Sequence, residues 1–264
     1  MQTAVITGAG SGIGAALARV FARRGMRVVC ADIDERAADV TAREIRALGR
    51  DATHARADVT SFADVEALAT EDVGVWVNNA GIAIGGATHE LGLDDWRRVI
   101  DVNLVGVVHG VHAIYPRMVR RRRGHIVNIA SVAGLAPYPL ALPYTTTKHA
   151  VVGLSLALRA EARTHGVRVS VACPGRIDTP IWQRSDVRGV LGTLRERLLA
   201  RMPKPASADS CAQTIADGIA RDRAVIPVTL EAHAAWWLAR ASPWIANKLA
   251  QRLAGSVLAY APPR

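Results

Sequence analysis

The chain has 264 residues, half of them hydrophobic, with 33 Lys and Arg against 23 Asp and Glu for a formal net charge of +10. That length and apolar content suffice for one large core and suit a single α/β domain, and no repeat or low-complexity tract suggests otherwise. The basic excess would suit nucleic acid or an anionic membrane. Its densest run, Arg117 with Arg120 to Arg123, lacks interleaved stacking aromatics and belongs to no nucleic-acid motif, so it is read as a helix C-terminus, where the macrodipole favours cations.

In chain order, Met1 to Thr7 enters a strand at once, which leaves no room for a signal peptide and argues for the cytoplasm. Strands are predicted at 4–6, 27–30, 73–77, 125–129, 167–172 and 224–228, because each is a short, nearly continuous apolar run. Helices are predicted near 12–24, 35–48, 94–121, 144–165 and 207–221, with a further, short one near 61–70. The alternation implies a Rossmann-like, doubly wound parallel sheet in one domain, with ligands at the carboxyl ends of the strands. Residues 1–230 are expected to form the main α/β domain and 231–264 a helical extension. That extension holds Trp236, Trp237 and Trp244, with Ser242 and Pro243 opening its second helix. Its apolar runs are too short to span a bilayer. Its pattern permits a membrane-surface helix, but docking on the same or a neighbouring subunit to close a substrate pocket is the favoured reading. Cys30, Cys173 and Cys211 stand apart without CxxC or histidine at ligand spacing, so reduced thiols and no metal are expected.

Thr7-Gly-Ala-Gly-Ser-Gly-Ile-Gly14 follows the first strand and opens the first helix. Glycines there permit a tight turn and let backbone amides at a helix N-terminus face a pyrophosphate. Asp32 ends the second strand, where a carboxylate can accept from a ribose diol and repel a 2′-phosphate; with Ser11 rather than a cation in the turn, NAD(H) is favoured over NADP(H). Far downstream, Tyr144 and Lys148 stand four residues apart and share one helix face, thirteen residues after Ser131. A cation beside the phenol favours phenolate, so Tyr144 is expected to titrate nearer working pH and act as a general acid or base.

In these motifs the chain resembles the short-chain dehydrogenase/reductase family over roughly residues 1–230. The glycine motif falls on Thr7 to Gly14, the adenine-contacting aspartate on Asp58 before Val59, NNAG on Asn78 to Gly81, YxxxK on Tyr144 and Lys148, and PGxxxT on Pro174 to Thr179. The resemblance implies a catalytic group of Asn103, Ser131, Tyr144 and Lys148, in which Tyr144 protonates or deprotonates the reacting oxygen, Ser131 hydrogen-bonds it and Asn103 holds a water leading from Lys148 to solvent. It implies cofactor contacts at Gly8, Ser11, Gly12, Ile13, Gly14, Asp32, Asp58, Val59, Asn79, Ile177 and Thr179 besides Tyr144 and Lys148, with NAD as cofactor. A homodimer or homotetramer paired through the helices near 94–121 and 144–165 is also implied. The segments that would choose the substrate, 82–84, 132–138 and 181–194, are mostly apolar, with Tyr138 and Trp182 large and Arg176, Arg184 and Arg188 nearby; a hydrophobic secondary alcohol or ketone is expected. The alternatives are an NADP(H)-dependent carbonyl reductase or a non-catalytic dinucleotide-sensing or scaffold protein on the same fold.

Overall fold

A computed structural model describes residues 2–189, 191–194, 196 and 204–259, with Trp182 described in its backbone alone. Seven strands form one parallel sheet: β1 (Thr3–Thr7), β2 (Arg27–Asp32), β3 (Ala52–Arg56), β4 (Val73–Asn78), β5 (His125–Ile129), β6 (Arg168–Cys173) and β7 (Val225–Pro227). Their order across the sheet is β7-β6-β5-β4-β1-β2-β3, with Val5 opposite Trp76, Val77 opposite Val127 and Ile126 opposite Val169. β1 and β5 are buried at every position, as strands covered on both faces must be.

Side chains alternate between two cores, as the strand period of two requires. Ala4, Ile6, Val75 and Val77 point into a core shared with α1 (Gly12–Arg23) and α2 (Glu35–Ala47). Val5, Trp76 and Ile126 point to the opposite face, against Ala113, Ile114 and Met118, and Val73 joins them because the register shifts between it and Val75. All three cysteines are buried and free.

The predicted strands all appear, as do the helices apart from the one expected over 94–121, with boundaries moved by a few residues, and α3 (Phe62–Leu68) is as short as expected. One strand of the seven-stranded sheet had no counterpart in the sequence reading. β3 has a half-exposed, polar pattern because it lies at the sheet edge, so Ala-Thr-His-Ala-Arg carries no apolar run. The helix expected over 94–121 is instead three segments: α4 (Leu93–Ile100), a π-helical turn (Asp101–Val105) and α5 (Gly106–Arg121). Among the described residues, this 93–121 run alone is long and apolar enough to cross a membrane, and here its Val107, Gly110, Ile114 and Met118 are buried within the fold. The arginine run lies at its C-terminus, where Arg122 adopts φ 51°; Arg121 donates to the Val73 carbonyl and Arg120 pairs with Glu71.

After α6 (Leu142–Thr164), a four-residue α7 (Ile181–Arg184) and α8 (Ala208–Ala220), the chain ends in α9 (Leu230–Ala241) and α10 (Pro243–Leu258). The hydroxyls of Thr229 and Ser242 cap the last two by accepting from the Ala232 and Ile245 amides. α9 packs against β7 and the 3₁₀ turn Val132–Gly134.

Candidate active site

The glycine-rich turn lies where β1 meets α1, beside β4 and at the point where the strand order reverses. Two of its glycines are required by geometry. Gly8 has φ +65°, and a Cβ there would lie 2.8 Å from the Ala80 Cα; a Cβ at Gly14 would lie 2.1 Å from the Gly8 carbonyl oxygen. Asn79 fastens the turn by donating from its side chain to the carbonyls of Thr7 and Gly8, at 2.9 and 3.1 Å, while its backbone N–H donates to the Thr7 hydroxyl. Asp32 accepts from the Gly10 amide at 2.8 Å, which brings its carboxylate to the turn; the cap of α2 is Asp34. Asp58 accepts from both the amide and the hydroxyl of Thr60.

The second half of the site comes from the ends of β5 and β6 and the start of α6. Ser131 begins the 3₁₀ turn Val132–Gly134; its hydroxyl accepts from the Ala133 amide at 3.2 Å, donates to the Pro174 carbonyl at 3.5 Å and lies near the Tyr144 phenol. A Cβ at Gly134 would lie 2.5 Å from the Lys148 carbonyl oxygen, so this turn can pack closely on α6 only because residue 134 has no side chain. Lys148 is buried, donates to the Ile129 carbonyl at 2.9 Å, and holds its ammonium 5.5 Å from the centre of the Tyr144 ring. Asn103 is buried in the π-helical turn and exchanges two 2.9 Å hydrogen bonds with the backbone of Ile82. Its amide is thus engaged with protein. The head groups of Asn103 and Lys148 converge on Gly81, where a Cβ would lie 3.2 Å from the Asn103 Oδ1 and 3.6 Å from the Lys148 Nζ.

A buried chain of hydrogen bonds fixes α6 to the sheet, and sequence reasoning did not find it. Trp76 Nε1 donates to Asn78 Oδ1 at 2.7 Å, Asn78 Nδ2 to Asn128 Oδ1 at 2.8 Å, and Asn128 Nδ2 to the Ser155 hydroxyl at 2.9 Å. Ser155 completes the run by donating to the Val151 carbonyl. Each polar group finds a partner, as burial requires.

The protonation behaviour corrects one expectation. Burial, rather than the neighbouring cation, dominates Tyr144: its phenol is pushed up to about 12, against a smaller lowering by the Ser131 hydrogen bond. Burial likewise brings Lys148 down to about 8, and holds the neighbouring Cys173 thiol up at about 12. Both Tyr144 and Lys148 are therefore biased towards their neutral forms in this cleft.

The two halves face one cavity of about 410 Å³. Every predicted site residue lines it except Gly14, whose amide end is turned into the loop packing, and Asn103, which sits behind Ile82. Ile82, Ala83, Val132 and Ile181, together with Tyr138, make one wall of it largely apolar. The Trp182 side chain, along with part of the segment running to Leu194, lies outside the described residues. Glu231, which the sequence reading did not select, also lines the cavity: its carboxylate stands over Gly175 and, after burial, raises the Tyr138 pKa, which Arg176 opposes. Nothing local to Glu231 beyond its place in a first helical turn marks it, since only the packing of α9 brings it there. Arg188 is held elsewhere, in a paired contact with Asp95 at 2.7 and 3.2 Å.

Comparison with known proteins agrees with this geometry. Residues 2–188 match the family described as short chain dehydrogenase. The chain is 37% identical over 255 residues to the probable oxidoreductase EphD of Mycobacterium tuberculosis, a match that covers 90% of this chain but only 43% of that protein, so the chain spans less than half of that relative's length. A short chain dehydrogenase/reductase from Burkholderia phymatum, solved in complex with NAD, superposes with a TM-score of 0.83 at 34% identity, covering 92% of this chain and 94% of the other. A short-chain dehydrogenase from Sphingobium yanoikuyae, solved with NADPH, gives 0.78 at 30% identity, covering 97% and 95%. With a glycine turn at the strand-order reversal, a Ser131, Tyr144 and Lys148 cluster facing it, and a family match over most of its length, the chain belongs to the short chain dehydrogenase family.

Proposed function

We propose that this protein is an NAD(H)-dependent oxidoreductase that interconverts a secondary alcohol and a ketone on an apolar small molecule. In this reading residues 1–230 bind the dinucleotide and carry the catalytic group, and 231–264 form a helical extension. The carrying observation is that Ser131, Tyr144 and Lys148 open onto the same cavity as the glycine turn and Asp32. The cradle suits a dinucleotide: bare glycines leave space and backbone donors at the α1 N-terminus, where a pyrophosphate is stabilised. The cavity-lining cations, Lys148, Arg176 and Arg184, come from the catalytic and substrate-side segments, while the lining near the ribose position is Asp32, Ile33 and Ser11, which favours NAD(H).

A bound nicotinamide supplies or accepts the hydride. Ser131 donates a hydrogen bond to the reacting oxygen, which carries more negative charge in the transition state than in the ketone. Tyr144 gives that oxygen its proton in reduction and takes it back in oxidation. Lys148, anchored on Ile129, holds its head group beside the phenol. Asn103 fixes the Ile82 backbone and so the wall facing Lys148. A dimer or tetramer paired through α5 and α6 completes the reading.

The test is a screen of apolar secondary alcohols with NAD, followed at the nicotinamide absorbance, on wild type and Tyr144→Phe. Turnover should appear in wild type and fall by about 10²–10⁴ in the variant. Full turnover by Tyr144→Phe would defeat the mechanism, and cofactor binding without turnover on any alcohol or ketone would favour a sensing role.

A further inference from the structure

Beyond Glu231 in the first turn of α9, the C-terminal helices combine an unpacked apolar surface with charge of a single sign. From Ala232 to the end of the sequence there is no Asp or Glu, while Arg240, Lys248, Arg252 and Arg264 are cationic. α10 turns Ala246 and Val257 inward, with Ala250 and Ala254 between them half-buried, and leaves Ile245, Leu249 and Leu253 exposed at i, i+4, i+8 spacing along one outer stripe. Arg252 and Lys248 flank that stripe, and Lys248 reaches over the Trp244 ring at 5.9 Å. On α9, Leu230 and Trp237 lie seven residues apart on one face, 88% and 65% exposed, and Trp244 at the start of α10 is 69% exposed. Half the tryptophans of the chain are in these two helices, at 236, 237 and 244.

We infer that α9 and α10 dock the protein on an anionic membrane surface. Tryptophan and leucine among Lys and Arg, with no acidic residue after Glu231 to repel a negatively charged headgroup, suit the water–bilayer interface. A second copy of the chain is a poor occupant. Self-association through this face would set Arg240, Lys248 and Arg252 against their own counterparts, since a two-fold interface pairs a patch with itself. The face also adjoins the cleft. Glu231 lines the cavity and directly follows Leu230, so a docked protein would hold the cleft mouth beside a source of apolar molecules. That last connection rests on the proposed activity; the docking does not.

The full-length protein is sedimented with phosphatidylcholine vesicles, with and without phosphatidylglycerol, at low and high salt. Wild type should pellet with the phosphatidylglycerol vesicles and be released by salt, because exposed charge is screened. Replacing three cations, in Arg240→Gln/Lys248→Gln/Arg252→Gln, should weaken partitioning about a hundredfold. Trp237→Ala/Trp244→Ala should weaken it as well. Unchanged thermal unfolding in both variants shows that the fold persists. The inference is overturned if wild type stays in the supernatant with every vesicle, if the triple variant binds as wild type does, or if sedimentation equilibrium reveals a dimer that Trp244→Glu dissociates. These outcomes are independent of turnover, so failure of docking and failure of the proposed reaction are told apart.

Discussion

Lys148 donates to the carbonyl oxygen of Ile129 at 2.9 Å, which ties the Tyr144-bearing face of α6 to the last residue of β5. The ammonium is thereby fixed by the sheet, at the carboxyl end where the cavity opens. Lys148→Met keeps most of the side-chain volume but removes both the hydrogen bond and the charge beside Tyr144. We expect kcat/KM to fall by about 10²–10⁴ with little change in circular dichroism, as measured by steady-state kinetics on the best alcohol from the screen.

The pH dependence follows from burial. Tyr144 is pushed up to about 12, so the protonated phenol that ketone reduction needs predominates through the neutral range, and the base that alcohol oxidation needs is scarce there. Raising pH increases the deprotonated fraction. In the protein as described, kcat/KM for oxidation should rise from pH 7 into the alkaline range, while that for reduction should hold steady and then decline. Oxidation that instead fell from neutral to alkaline pH would contradict the assignment of Tyr144 as the base.

Asp32 should decide the cofactor. Its carboxylate accepts from the Gly10 amide and so sits against the turn, where a 2′-phosphate would meet like charge. Calorimetry should find NADH bound more tightly than NADPH by wild type, and Asp32→Asn should narrow that preference at least about tenfold. Equal binding of the two by wild type would favour the NADP(H) reading.

His125 should make the fold acid-sensitive. Its ring is buried between β-strands with Nε2 at 2.9 Å from the Ser170 hydroxyl, and burial first, then Arg168, lowers its pKa from 6.5 to about 4, with Asp222 opposing. The folded imidazole thus remains neutral at pH values where the unfolded one is already charged. Below the unfolded pKa the unfolded chain binds the extra proton, so stability should decline as pH falls from 6.5 towards 4, by about 3 kcal/mol in all. Urea midpoints for wild type and His125→Gln at pH 7 and pH 5 test this, with the smaller drop expected in the variant.

Local spacing made much of this protein legible. A tyrosine and a lysine four apart must share a helix face, and a glycine run between a strand and a helix can leave backbone donors at a helix N-terminus whatever surrounds it. The buried strands announced themselves because both faces of a parallel sheet are covered, so nearly every residue is apolar. β3 escaped because an edge strand is covered less and can alternate with polar residues. The π-helical turn holding Asn103 escaped because α-helix and π-helix share the same apolar pattern over five residues.

What only the tertiary structure decided are the quantities that depend on distant neighbours. The sequence placed a cation beside Tyr144 and so suggested a lowered pKa; the folded cleft reversed the direction, because desolvation is set by everything packed around the phenol and not by its nearest neighbour in the chain. The chain from Trp76 through Asn78 and Asn128 to Ser155 exists only once β4, β5 and α6 are adjacent. Glu231 reaches the cavity only because α9 folds back over Gly175. Periodicity and motif spacing therefore determined the family and pointed to Ser131, Tyr144 and Lys148, while burial and long-range packing determined how those side chains are held and charged.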